Sequence, residues 1–147
     1  FIYHDRVRLS GVILINDFLR ANGIIDETSE PLDSTRCSLC GGTQINHKKF
    51  ISKEQLMDHE YFPSRIIMAN SELDKKQMLA GLDKYNSSDN AYGNMYKFII
   101  GSKIIQEGFD MKDVDLMVIV HMPNSISEFL QLMNREVLSQ FTSDLLR

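Results

Sequence analysis

Two stretches of the chain hold residue types that do chemistry at short spacing. The first is "RCSLCGG", residues 36–42, in which Cys37 and Cys40 stand two residues apart and precede a pair of glycines. This is the form of a zinc knuckle, whose backbone N–H groups turn to face the sulfurs. A closed structural site takes four ligands, and His47 and His59 are the available partners, giving Cys-x2-Cys-x6-His-x11-His. The interval between the histidines is longer than the usual finger spacing. A reduced thiol pair in a loop and the remnant of a lost site therefore stand beside zinc as readings. A redox role fits less well, because the pair does not open a helix.

The second stretch is "GSKIIQEGFD", residues 101–110, which places Ser102, Gly108 and Asp110 after an apolar run. A local account exists. Gly101 and Ser102 end a strand, Gly108 supplies a turn, and Asp110 caps it. The other account is a ligand loop, and the elements around it bear on the choice.

The chain has 147 residues, with 43% hydrophobic and 24% charged. That is an ordinary globular composition, enough for one domain that buries roughly 68–70% of its unfolded surface. No apolar run reaches the roughly 20 residues of a membrane span. The formal net charge is -4, which does not advertise a polyanion binder, although a local basic groove can sit on an acidic domain. Two cysteines make no secreted disulfide framework, so the expected setting is intracellular and reducing. "FIYH" opens within an apparent strand, which suggests a fragment of a longer protein.

The strand at Phe1–His4 feeds a helical pattern closed by Asn22 and Gly23. From Ile25 to Phe62 the periodicity fades, and residues 25–62 read as an irregular insertion carrying the cysteines. "RIIMAN" (65–70) is a second strand, and Ser71 with Asp74 reads as the cap of a helix through about Asn86. "MYKFIIG" (95–101) is a third strand, and "DLMVIVHMP" (115–123) is a fourth, apolar enough to be covered on both faces. A helix from a Ser125 cap, with Glu128 completing a capping box, runs to about Phe141. Alternating strands and helices predict an α/β domain with a parallel sheet covered on both faces. Such sheets bind ligands beyond the carboxyl ends of their strands, where residues 101–110 begin.

The order of these pieces resembles the second RecA-like lobe of superfamily 2 helicases and related nucleic-acid-dependent ATPases. "FIYH" looks like motif IV, "GSKIIQEGFD" like motif V and "QLMNR" like the start of motif VI. Within that superfamily, "IIMANSELDKK" and the run to Asp110 look most like helicases of large DNA viruses, of the poxvirus nucleoside triphosphatase and early transcription factor small subunit type. The likeness covers nearly all of residues 1–147 except the cysteine insertion.

The resemblance implies ATP with Mg as cofactor, held mainly by an N-terminal RecA-like lobe of the same parent chain, and DNA or RNA as partner. It implies no membrane and, for a virus, host cytoplasm or virion. Ser102 and Lys103 would contact a phosphate of the bound strand, and Gly108 would let the backbone approach the ligand. Asp110 would accept a ribose hydroxyl of ATP, Arg135 would face the γ-phosphate, and Gln131 would be catalytic beside it. The usual motif VI is Gln-x-x-Gly-Arg-x-x-Arg, but here Asn134 replaces the glycine and Leu138 the second arginine. No Walker A motif is present in these residues, so residues 1–147 alone are not expected to hydrolyse ATP. Two readings follow: one lobe of a helicase or translocase, and a degenerate, non-catalytic lobe that binds nucleic acid or protein.

Overall fold

The computed structural model describes residues 1–70, 72, 74–102, 111, 112, 114–127, 129 and 130. Strands β1 (Ile2–Tyr3), β2 (Ile25–Asp26), β3 (Arg65–Ala69), β4 (Tyr96–Gly101) and β5 (Val118–Ile119) form one parallel sheet in the order β2-β3-β4-β1-β5. Helices α1 (Val12–Ala21), α2 (His47–Glu54) and α3 (Lys75–Tyr85) intervene in the sequence.

Successive strand residues point to opposite faces of a sheet, and the two cores divide accordingly. On one face, Ile66 and Ile100 pack with Val12 of α1 and with Ile24, flanked by Ile15, Leu19, Met68 and Phe98. On the other, Ile67, Ala69 and Ile99 pack with Met78 and Leu82 of α3 and with Tyr3, Met111 and Val114. The expected RecA-like architecture, a parallel sheet with helices on both faces, is therefore present. β3 and β4 run side by side from Arg65↔Tyr96 to Ala69↔Gly101, which aligns their carboxyl ends.

Three local expectations change. The region from Ile25 to Phe62 is not irregular throughout: Ile25–Asp26 is the edge strand β2, and a 3-10 turn at Gln44–Asn46 leads into α2. A two-residue strand shows no alternation. The inward residues of α2 are His47, Phe50 and Ile51, so an apolar count misses one of its three positions. The helix expected from a Ser71 cap begins at Lys75, with Asp74 as N-cap and no side-chain cap bond. Upstream, the buried Asn70 accepts the Glu72 N–H at 2.9 Å and turns the chain before the helix starts. Ser71 lies outside the described residues.

Among the described residues, β5 is an edge strand rather than one covered on both faces. Met117 and Ile119 pack on the α3 side, while Leu116, Val120 and Met122 are 68%, 50% and 72% exposed. α1 packs against β2, β3 and β4. Of the last predicted helix, the described part includes the bond from Phe129 N–H to Ser125 O at 3.1 Å. Its remaining length and Glu128 lie outside the described residues.

Candidate functional site

The carboxyl ends of the strands gather Asn70 after β3, Ser102 after β4, His4 after β1 and His121 after β5. Ser102 is 2% exposed, and its backbone N–H already donates to Ala69 O at 3.1 Å. The group it retains for a ligand is its hydroxyl. His4 donates its own N–H to Gly101 O at 3.0 Å, and its Nδ1 accepts the Arg6 N–H at 3.0 Å. That nitrogen has no proton for Asp5, so the 3.2 Å approach of Asp5 Oδ1 is not a hydrogen bond. His121 Nδ1 lies 3.4 Å from the same oxygen, and neither atom has a hydrogen-bond partner. Sequence reasoning missed this His4, Asp5 and His121 group, because 116 positions separate its ends and only the β1 and β5 pairing brings them together. Lys103, Gly108, Asp110, Gln131 and Arg135 lie outside the described residues, as do Asn134 and Leu138.

At the opposite end of the sheet the structure brings Cys37, Cys40, His47 and His59 together. Their ligand atoms all lie within 4.8 Å of one another. The knuckle is a tight hairpin: Arg36 bridges Thr43, Cys37 N–H donates to Gly42 O at 2.8 Å, and Gly41 N–H donates to Cys37 O at 2.9 Å. Gly41 sits at φ 76, in the left-handed region that glycine enters without a Cβ clash. Gly42 directs its N–H at Cys40 Sγ, 3.4 Å away, and a Cβ there would lie 2.9 Å from the Phe50 ring. The pair of glycines thus closes the turn and admits α2 beside it.

The histidines arrive from two directions. His47 is the first residue of α2 and is buried, with Tyr61 against its ring edge at 5.4 Å. His59 follows the helix and the turn at Gln55, whose φ is 53. The long interval between the histidines is thus the length of α2 plus its exit. His59 donates Nδ1–H to Met57 O at 2.9 Å, which turns Nε2 toward the cluster. A carbonyl behind a metal-facing imidazole fixes its tautomer in just this way.

Cys37 is 2% exposed. Burial pushes its thiol up, but hydrogen bonds from the backbone at Phe62, Cys40 and Leu39 and from His59 outweigh it and bring the pKa down to about 6. Burial raises Cys40, and its neighbour Cys37 adds to the rise. His59 is raised by the Met57 carbonyl and then by Cys37. The four residues fit a metal of the zinc class, with soft sulfur and imidazole donors and no carboxylate.

The two ends of the sheet are separate. Cys37 bridges Pro63 just before β3, Ser64 N–H donates to Arg36 O at 2.8 Å, and Ser38 Oγ donates to Asn94 O at 3.0 Å just before β4. With β3 five and β4 six residues long, the cysteine cluster and Ser102 stand on the order of 15–20 Å apart at about 3.3 Å per residue. An open cavity of about 520 Å³, lined by Phe1, Tyr85, Tyr92, Tyr96, Lys97 and Leu116 among others, also lies at the amino ends of β1, β4 and β5. It is on the wrong side of the sheet for a ligand of the carboxyl rim.

A family model, the helicase conserved C-terminal domain, matches residues 42–137. The chain belongs to this helicase C-terminal domain family. It is similar to the early transcription factor large subunit homolog of African swine fever virus, at 35% identity over 136 residues for the isolates Pig/Kenya/KEN-50/1950 and Tick/Malawi/Lil 20-1/1983. The match covers 92% of this chain and 12% of those proteins. The early transcription factor 70 kDa subunit of Melanoplus sanguinipes entomopoxvirus is 24% identical over 143 residues, covering 95% of this chain and 20% of that protein. The chain thus spans a small part of the relatives it matches. No solved structure gives a significant match.

Proposed function

We propose that this helicase C-terminal domain is the second lobe of an ATP-dependent motor that unwinds or translocates on nucleic acid, working against an N-terminal lobe of the same parent. The observation that supports it best is the family match, which spans residues 101–110 and 131–135. β4 ends at Gly101, so the buried Ser102, near the start of the first stretch, sits at the carboxyl rim. In this reading the Ser102 hydroxyl and Lys103 hold a strand phosphate, and Gly108 gives the backbone close approach. Asp110 accepts a ribose hydroxyl of ATP. Gln131 and Arg135 face the γ-phosphate, where an arginine supplies charge matched to the transition state. Mg accompanies ATP and is held mainly by the other lobe. The relatives' name, early transcription factor, supports a parent that acts in viral early transcription, and two free cysteines suit an intracellular, reducing setting.

The test is ATP turnover of the complete protein with and without nucleic acid. Arg135→Ala abolishes the stimulated rate under this reading, and turnover equal to the parent's overturns the role of Arg135. A second reading, a non-catalytic binding lobe, is favoured by Asn134 and Leu138 at positions where motif VI has glycine and arginine. Leu138→Arg distinguishes the two: faster turnover supports the motor, whereas a stable variant with no gain supports the binding lobe.

A further inference from the structure

We propose that Cys37, Cys40, His47 and His59 bind one structural zinc ion, which staples the segment between β2 and β3 to the amino end of the sheet. The argument goes beyond the motor reading and stands on geometry. A tetrahedral ion with Zn–N of about 2.05 Å and Zn–S of about 2.3 Å places two nitrogens about 3.3–3.4 Å apart and a nitrogen and sulfur about 3.5–3.6 Å apart. The observed separations are 3.3 Å between His47 Nε2 and His59 Nε2, and 3.5 Å between His59 Nε2 and Cys37 Sγ. The complete set lies within 4.8 Å, against about 3.8 Å for two sulfurs on one zinc, so a small contraction closes it.

The surroundings support the same ion. Two imidazole Nε2 atoms facing each other share at most one proton, whereas a cation between them satisfies both lone pairs. The Met57 carbonyl behind His59 orients a ligand ring, and the Gly42 N–H faces Cys40 Sγ as a donor to a thiolate. Four protein ligands leave no open coordination position, so the site is structural rather than hydrolytic. Binding displaces the thiol protons to solvent, and no electron is transferred.

The ion joins three pieces, the hairpin at 36–43, α2, and the return through His59 to Pro63, and adds to the bridge between Cys37 and Pro63. This explains how a segment with little apolar periodicity is held in place beside β3. Holding it there needs no residue of the carboxyl rim.

The complete protein, purified under reducing conditions without chelator, should carry about one more zinc equivalent than its Cys37→Ser variant. Replacing zinc by Co²⁺ should give the intense visible bands of a tetrahedral ion and a thiolate-to-cobalt charge-transfer band. Because Cys37→Ser can unfold the segment, Cys40→His provides the second arm. It keeps four ligands, retains the metal and roughly halves the charge-transfer band. Equal zinc in the parent and Cys37→Ser proteins, or a cobalt form without thiolate charge transfer, overturns the proposal. So does a charge-transfer band unchanged by Cys40→His.

Discussion

The two ends of this sheet are built by different means. At the carboxyl rim, strand ends present single polar groups, the buried Asn70, Ser102 and His4 and the half-buried His121, on a scaffold whose stability comes from apolar packing above and below β3 and β4. At the amino end, the segment between β2 and β3 buries few apolar side chains; hydrogen-bonded turns hold it, and four ligand atoms converge within it. A rim on a packed core keeps its shape when its residues change. A segment held by a handful of polar contacts does not, and it is the end where one substitution has the larger structural effect.

The largest expected effect follows from removing the proposed zinc. Zinc binding in small domains contributes about 10–16 kcal/mol at neutral pH, and that free energy is folding free energy. A strong chelator, or His59→Ala, should therefore unfold the segment between β2 and β3, seen as rapid proteolysis within residues 27–62. The sheet should remain folded. Uncut protein after zinc loss would mean that hydrogen bonds alone hold the segment.

Next comes the rim. Arg135→Ala should lower nucleic-acid-stimulated ATP hydrolysis by on the order of a thousandfold, about 4 kcal/mol in the barrier. Its zinc content and thermal unfolding should match those of the parent. Loss of zinc in that variant would break the separation of the two ends.

A smaller effect is expected at Asn90. Its amide donates to Tyr85 O and Tyr96 O at 2.9 and 3.2 Å and accepts the Met95 and Tyr96 N–H groups at 3.0 and 2.8 Å. Asn90→Ala leaves backbone groups at the start of β4 without partners, at a cost of about 2–3 kcal/mol. A lower melting temperature with unchanged zinc is the expected pair of results. An unchanged melting temperature would show that water replaces the amide.

The smallest effect concerns pH. Asp26 at the end of β2 is held below the ordinary carboxylate range by Ser29 and then, against burial, by Thr28, with the Ser29 N–H 2.8 Å from Oδ1. A depressed carboxylate stabilises above its unfolded pKa, and this contribution disappears as pH falls through the folded value. The window lies below the ordinary value of 3.8. Because the group is partly exposed, solvent screens it, so Asp26→Asn should change the acid midpoint only slightly, and a large change would show that β2 depends on this turn more than its packing indicates.

Much of the fold was legible because its longer elements follow simple periods. "RIIMA" and "YKFIIG" are near-continuous apolar strands, and α1 repeats its apolar residues at helical spacing. β2 was illegible because two residues make no pattern, and α2 because a histidine occupies one of its inward positions. β5 misled for the opposite reason: an apolar run reports hydrophobicity, not whether a neighbouring element covers it. The Cys37, Cys40, His47 and His59 cluster was legible by chemistry, although the spacing of His47 and His59 argued against it until α2 filled the interval. The His4, Asp5 and His121 group was not legible, since only the sheet order makes β1 and β5 neighbours.

The separation of the two ends is tested most directly by hydrogen exchange of the complete protein before and after zinc removal. The amides of Cys37, Gly41 and Gln44 bond within or beside the knuckle, whereas that of Ser102 bonds to Ala69 at the rim. Metal removal should accelerate exchange across residues 36–44 by orders of magnitude and leave Ser102 and the β4 amides unchanged. Equal acceleration at both ends, or none at the knuckle, would contradict a metal-held segment on an independently folded sheet.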